Sequence, residues 1–276
     1  MSLTQPAVSK QINALEKSLG FKLFYRTSHG MALTAAGEEL MTLGGDVLTR
    51  FHRIEGTMKG RFGGQPSLRI AAPYTTASVL LAPFIAERNP PISDLAIQDR
   101  TELDPLLDGE ADMAISTFKP PISRTQMVAT HLLIRVYGQP DIMDLAFGSS
   151  PWAPLENLLK ETIFTPNTGV HNVVSAKLAH TKHPVDLLNT DTGLIAQAFA
   201  ASNQGFAIAT ETTAFGLQGR PASFQNQLLF SPLYASWDSG HYAGKELENL
   251  ALEFRDWMLT TPPWCQDAEL YTQSET

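Results

Sequence analysis

The chain has 276 residues, 43% of them hydrophobic and 17% charged, with a formal net charge of −8. That length suits more than one folding unit, and the longest apolar stretch, Val79 to Ala86 broken by Pro83, falls far short of the ~20 residues a membrane helix needs. The start has no basic, apolar and small-residue pattern of a secretory leader, and the one cysteine, Cys265, excludes an intramolecular disulfide, so a cytoplasmic protein without a membrane partner is expected.

Charge is unevenly spread. Residues 1–64 hold eight basic and five acidic residues, net +3, whereas the remainder holds 12 basic and 23 acidic, net −11. A basic head on an acidic body is what is expected when only the head meets phosphates.

The first predicted helix follows Thr4, a good N-cap, with Pro6 in its first turn and Gly20 at its end. Val8, Ile12, Leu15 and Leu19 recur at the 3.6-residue period and form one apolar stripe. The other face carries Gln5, Ala7, Ser9, Lys10 and Asn13. These are short donors, acceptors and a methyl of the kind that enters a major groove: Gln suits adenine, Ala a thymine methyl, and Ser or Lys a phosphate or guanine.

The continuation "QPAVSKQINALEKSLGFKLFYRTSHGMALTAAGEEL" resembles the N-terminal winged helix-turn-helix of the LysR-type transcriptional regulators. The matching residues are Gln5 to Ser9, Gln11-Ile12, Leu15-Glu16, Leu19-Gly20, Leu23-Phe24, Arg26, Gly30, Leu33-Thr34 and Gly37. The resemblance implies that Gln5, Pro6, Ala7, Ser9, Lys10 and Asn13 face bases and phosphates. It also implies that Tyr25 to Leu33 form a wing, with Arg26 on the DNA backbone. Family members often place an arginine at the wing tip; His29 stands here, a weaker and pH-dependent hold on a minor groove.

Members of the family carry a further helix and most of a positioning helix before this point, where the present chain has Met1 to Thr4. The expectation is therefore a partial winged helix-turn-helix over 1–36, from a shortened chain or a misplaced start. Val8, Ile12 and Leu15 would lack burying partners worth about 1.5–3 kcal/mol each, and DNA binding would be impaired.

From Thr34 a second helix is predicted, with Leu40, Leu43, Val47, Phe51, Ile54, Met58 and Phe62 in steps of three and four. Gly44, Gly45 and Gly56 weaken it, so it should rely on a partner. The resemblance implies a dimerisation linker over 37–64, closed by the hinge Gly63 to Pro66, in a homodimer or homotetramer.

Beyond the hinge, a strand at Leu68 to Ile70 precedes a hydroxyl-rich turn and an apolar helix. A strand at Leu95 to Gln98, a helix at Thr101 to Asp108 and a strand at Met113 to Ser116 follow, an alternation that favours a parallel sheet. A second series begins at "HLLIRVYG", then a Pro-rich loop with Trp152, a helix at Leu155 to Lys160 and the strand "TIFT". It continues with a helix near His171 to His180 and the helix, turn and strand of "GLIAQAFAASNQGFAIAT". The strand "QLLFSPLY" and the amphipathic "KELENLALEFRDWML" end the chain.

This α/β body resembles the LysR-type effector domain, whose two lobes are like those of periplasmic solute-binding proteins. Leu68 to Ile70 with Leu80 to Pro83, Gly109 to Asp112 and Asn203 to Ile208 carry the resemblance. It implies an effector-binding domain over 65–276, with lobe I at 65–120 and 228–276 and lobe II at 121–227. The "EFRDWML" tail is similar to the subgroup of glycine-cleavage and β-lactamase regulators.

In such a sheet a small polar or anionic effector is expected at strand C-termini and helix N-termini, where free N–H groups and hydroxyls gather. The candidates are Thr75, Thr76, Ser78, Thr101, Thr168, Asn172, Thr192, Gly205 and Phe206, each hydroxyl being also a plausible helix cap. Among them Thr75 and Thr101 match effector-contacting positions of the family best.

The nucleophile-elbow, phosphate-loop, HExxH and CxxC patterns are missing, and His180 and His183 have no acidic or cysteine neighbour to complete a metal site. No catalysis, metal or cofactor is therefore expected. The functional expectation is a regulator whose heads meet promoter DNA and whose cleft binds a small molecule. The alternative is a small-molecule sensor module that acts without DNA.

Overall fold

The computed structural model describes residues 5–27, 30–62, 67–98, 100–179, 181 and 185–274. They fall into two compact units, Met1–Met58 and Lys59–Thr276.

In the first unit, helix α1 (Gln5–Leu19) leads into an antiparallel hairpin of β1 (Phe24–Thr27) and β2 (Gly30–Leu33), with Phe24 opposite Leu33. The long helix α2 (Ala35–Phe62) follows. Glu16, near the end of α1, is buried and fixes the hairpin: its carboxylate accepts from the Leu23 amide at 2.9 Å, the Phe24 amide at 3.2 Å and the Lys22 ammonium at 2.6 Å. The Lys22 hydrogen bond and these amides hold the Glu16 carboxyl below the ordinary glutamate range. Thr34 caps α2 as expected, accepting from the Gly37 amide at 3.1 Å and donating to the Lys22 carbonyl at 2.8 Å. Gly37 must be glycine, because a Cβ there would lie 2.2 Å from the Leu23 carbonyl oxygen.

The second unit begins with β3 (Leu68–Ala72), a π-helical turn at Thr76–Leu81, α3 (Ala82–Arg88), β4 (Ile92–Ile97), α4 (Arg100–Leu106), β5 (Met113–Ser116) and β6 (Arg124–Leu133). Next come β7 (Arg135–Gly138), α5 (Pro140–Phe147), β8 (Ala153–Pro154), a 3-10 turn at Leu155–Leu158, β9 (Thr162–Pro166), α6 (Gly169–Leu178), β10 (Asp186–Thr190), α7 (Gly193–Ala201) and β11 (Phe206–Ala209). The chain ends with β12 (Gln218–Phe224), β13 (Gln227–Leu228), β14 (Phe230–Asp238), α8 (Gly244–Thr260) and α9 (Trp264–Ser274).

Two mixed sheets result. The first runs β4-β3-β5-β14-β6, with β3, β4 and β5 parallel and β14 antiparallel to both of its neighbours. The second runs β10-β9-β11-β7-β12-β13, with β8 beside β12. Each lobe has its own core. In the first, Phe84 meets Phe254 edge-on at 5.2 Å and lies 5.7 Å from Trp257, whose indole N–H donates to Glu87 at 2.8 Å. In the second, Ile163, Val170, Val174, Phe206 and Ile208 are buried together.

Several expectations are corrected here. The body is α/β and two-lobed, but β6 pairs with β14 in the first sheet, so the second lobe starts at β7 rather than at residue 121. The three strands expected to run parallel, β3, β4 and β5, do so, and the whole sheet is mixed because the returning β14 enters antiparallel between β5 and β6. Where a helix is expected over Leu155 to Lys160, the structure has a single 3-10 turn at Leu155–Leu158. Where a Pro-rich loop is expected, the structure has helix α5, which opens on Pro140, a residue that fits a first helical turn. Phe254, Trp257 and Met258 of the "EFRDWML" segment are core residues of α8, so packing accounts for their pattern.

Candidate functional site

On α1 the described side chains of Pro6, Ser9, Lys10 and Asn13 are exposed and Ala7 is half-buried, one polar face as the sequence suggests. The side chains of Gln5 and Arg26, and all of His29, lie outside the described residues. The apolar stripe is also open: Val8 is 38%, Leu15 44% and Leu19 39% exposed.

A small cavity lies between the two lobes of the body, where strands from both sheets end. From the first lobe, Thr75 and Thr76 after β3 and Thr117 after β5 line it, with Val79, Leu80 and Leu132. From the second come Thr168 after β9, and Thr210 and Glu211 after β11; Trp264 of α9 closes one side. The cavity volume is about 30 Å³, room for one or two waters, so this is a closed cleft.

What closes it is a direct contact. The Thr117 hydroxyl accepts from the Gly169 amide at 3.0 Å, and a Cβ on Gly169 would stand 2.1 Å from the Thr117 carbonyl oxygen. Thr168 caps α6 by accepting from the Val170 amide at 3.3 Å. Thr192 caps α7 by accepting from the Ile195 amide at 3.2 Å. The buried Glu211 carboxylate takes the Gly193 amide at 2.7 Å and the Thr210 amide at 3.0 Å. Burial pushes the Glu211 carboxyl up, and the backbone N–H bonds offset this only in part.

Of the sequence candidates, the cavity brings together Thr75, Thr76 and Thr168. Ser78 is exposed and donates to the Tyr74 carbonyl at 2.8 Å instead. Asn172 is exposed on α6, and Thr192 serves its own helix. Thr101 falls in α4, its side chain outside the described residues. Gly205 and Phe206 are misplaced candidates: they open β11 at the end opposite Thr210, and Phe206 packs edge-on against Phe147 in the core at 6.0 Å. The cavity also brings in Thr117, Thr210 and Glu211, which were not among the candidates although the rule that selected Thr75, polar residues just past a strand's end, reaches them: β5 ends at Ser116, as expected, and β11 at Ala209.

The lobes join at two chain crossings, β6 to β7 and β13 to β14. There the Ile134 amide donates to the Leu229 carbonyl at 2.9 Å and the Ala222 amide to the Ile134 carbonyl at 2.8 Å. Asp267 of α9, 1% exposed, binds Arg135 at this hinge. Among the described residues no group of three or more His, Cys, Asp or Glu could hold a metal, and no helix is long and apolar enough to cross a membrane; His180 and His183 lie outside them.

Comparisons with known proteins agree with this architecture. The family described as "Bacterial regulatory helix-turn-helix protein, lysR family" matches residues 1–38, which gives no support to the expectation of a truncated head with impaired DNA binding. The regulator TfdT of Cupriavidus pinatubonensis is 30% identical over 128 residues, 44% of this chain and 55% of that protein. The chain spans about half the length of the curated relatives it matches at greatest extent. Among solved structures, CbnR, a LysR family transcriptional regulator, has a TM-score of 0.63 at 16% identity, covering 92% of this chain and 90% of its own. A mutant of OxyR from Corynebacterium glutamicum gives 0.60 at 17% identity, covering 99% and 88%. Nothing in these matches separates the glycine-cleavage and β-lactamase subgroup from the rest. The head, residues 1–38, is thus matched by the lysR-family helix-turn-helix, and the arrangement of head, linker helix and two α/β lobes is the fold of solved LysR-family regulators.

Proposed function

We propose that this protein is a DNA-binding transcriptional regulator controlled by a small molecule held between the lobes of its body. The observation that carries the reading is the exposed polar face of α1, Pro6, Ser9, Lys10 and Asn13, within the span matched by the helix-turn-helix family. Glu16 fixes the hairpin against this helix, so wing and recognition face are presented together. In this reading Asn13, with Gln5 and Ala7, meets base edges, while Lys10, Ser9 and Arg26 hold phosphates and His29 tips the wing. Two copies joined through α2 set two heads at a half-site spacing. A ligand that prefers one lobe arrangement shifts the population of that state, and with it which half-sites are engaged.

Selection from random duplex DNA, followed by anisotropy titration of the winning site, tests it. Lys10→Ala should weaken binding to all sequences alike and lower the salt slope by about 1. Asn13→Ala should cost about 1–3 kcal/mol and relax preference at one base position. Failure of the selection to enrich any sequence would sink the proposal.

A further inference from the structure

The anionic part of the expected polar or anionic effector rests on free N–H groups at helix N-termini, and two such groups at each of α6 and α7 are engaged by side chains. At α6 the Gly169 amide donates to Thr117 and the Val170 amide to Thr168. At α7 the Gly193 amide donates to Glu211 and the Ile195 amide to Thr192. The described residues lining the cavity include no Lys, Arg or His, and Glu211 is their one ionisable side chain.

We propose that the cleft takes a small cationic ligand, a primary ammonium carried on a compact apolar body, with Glu211 as its counter-ion. This rests on the reading of the cleft as the effector site and deepens it. The two backbone amides that Glu211 accepts leave about two of the carboxylate's four lone-pair positions for a ligand donor. The threonine hydroxyls of Thr75, Thr117 and Thr210 can accept the remaining ammonium hydrogens, while Leu80, Leu132 and Trp264 provide the apolar wall. Burial raises the free Glu211 carboxyl, so an entering ammonium is what favours its ionised form; a carboxylate or phosphate in the same place would oppose that ionisation and meet no Lys, Arg or His among the described lining residues. Because the closed cavity holds only one or two waters, entry requires the Thr117 to Gly169 contact to part.

Calorimetric titration and saturation-transfer NMR on the whole chain with isopentylamine, isovaleramide and isovalerate, three probes on one carbon skeleton, test the charge assignment. The expected result is at least about tenfold tighter binding of the amine than of either other probe. That preference should disappear in Glu211→Gln, and all binding in Thr75→Trp, which fills the cleft. If Glu211→Gln does not fold, the probe series and Thr75→Trp still decide. Isovalerate or isovaleramide binding as tightly as the amine, and lost in Thr75→Trp, overturns the charge assignment and leaves the cleft as a ligand site. If none of the three binds, a charge-balanced fragment set decides in the same way, by the charge of its tightest cleft ligand. A cleft that takes no fragment at all overturns both this proposal and the effector-site reading.

Discussion

The guanidinium of Arg135 and the carboxylate of Asp267 meet at 2.5 Å where the chain crosses from the first sheet to the second. Asp267 also accepts from the Leu133 amide at 3.3 Å, so one buried carboxylate on α9 ties down both sides of the crossing. Removing it strands a buried amide and leaves Arg135 without its partner. Asp267→Ala should cost about 2–4 kcal/mol of stability in denaturant titration. Arg135→Lys should cost less, because a charge remains but the two-point geometry is lost. Equal losses for the two variants would contradict the role given to Asp267.

How far the sequence revealed this is best judged residue by residue. The head was readable because its signals are local: Thr34 caps α2 and Gly37 permits a close approach, both within a few residues of one another. The first parallel run, β3 to β5, was readable from apolar strands alternating with helices. β6 was assigned to the wrong lobe because its pairing with β14 spans roughly a hundred residues, and no local pattern reports which sheet a strand joins. The cleft was half legible. Thr75, Thr76 and Thr168 follow strands whose ends are visible in the sequence, whereas nothing local sets Glu211 apart from the other acidic residues of the body. Its importance comes from burial beside the start of α7, which is a property of the fold.

Asp112 gives a pH dependence with a definite sign. It accepts from the Arg69 amide at 2.7 Å and guanidinium at 2.9 Å, and from His241 at 3.2 Å. The His241 Nδ1 accepts from the Ala243 amide, so Nε2 carries the hydrogen that Asp112 receives. Burial alone would push the Asp112 carboxyl up, but the hydrogen bonds from His241 and Arg69 outweigh it and hold it at about 2, against 3.8 for a free aspartate. A depressed folded value means stability that is complete above about pH 4 and is lost as pH falls toward 2, on the order of 2 kcal/mol. Acid titration followed by circular dichroism should show this loss, and Asp112→Asn should flatten the slope between pH 4 and 2 while costing about 3 kcal/mol at pH 7.

The contact of Thr117 with Gly169 predicts how the lobes can be forced apart. In Gly169→Ala the added methyl would start 2.1 Å from the Thr117 carbonyl oxygen, a separation that backbone must relieve by moving. Overpacking of this kind costs about 1–3 kcal/mol, and here it falls on the closed arrangement of the cleft while both cores stay intact. The variant should melt at a lower temperature, give a larger radius of gyration in X-ray scattering, and exchange the amide hydrogen of residue 169 faster. Unchanged scattering and exchange would show that the contact does not hold the lobes together.

The outer face of α2 bears on assembly. Leu43, Val47, Ile54 and Met58 are all more than half exposed, Val47 at 66% and Ile54 at 61%, although their spacing of three and four residues is that of a packed seam. In the proposed dimer each such side chain gains about 1.5–3 kcal/mol on burial against a second copy. Replacing Val47 and Ile54 by Glu removes that gain twice in each chain and sets acidic side chains against one another. The dimer dissociation constant should rise by about three orders of magnitude or more in sedimentation equilibrium. The cores of the body are built from other residues, so its unfolding free energy from denaturant titration, at a concentration where both forms are monomeric, should stay within about 0.5 kcal/mol of the parent. A double variant that sediments like the parent would place the pairing surface elsewhere and remove the proposed spacing of the two heads.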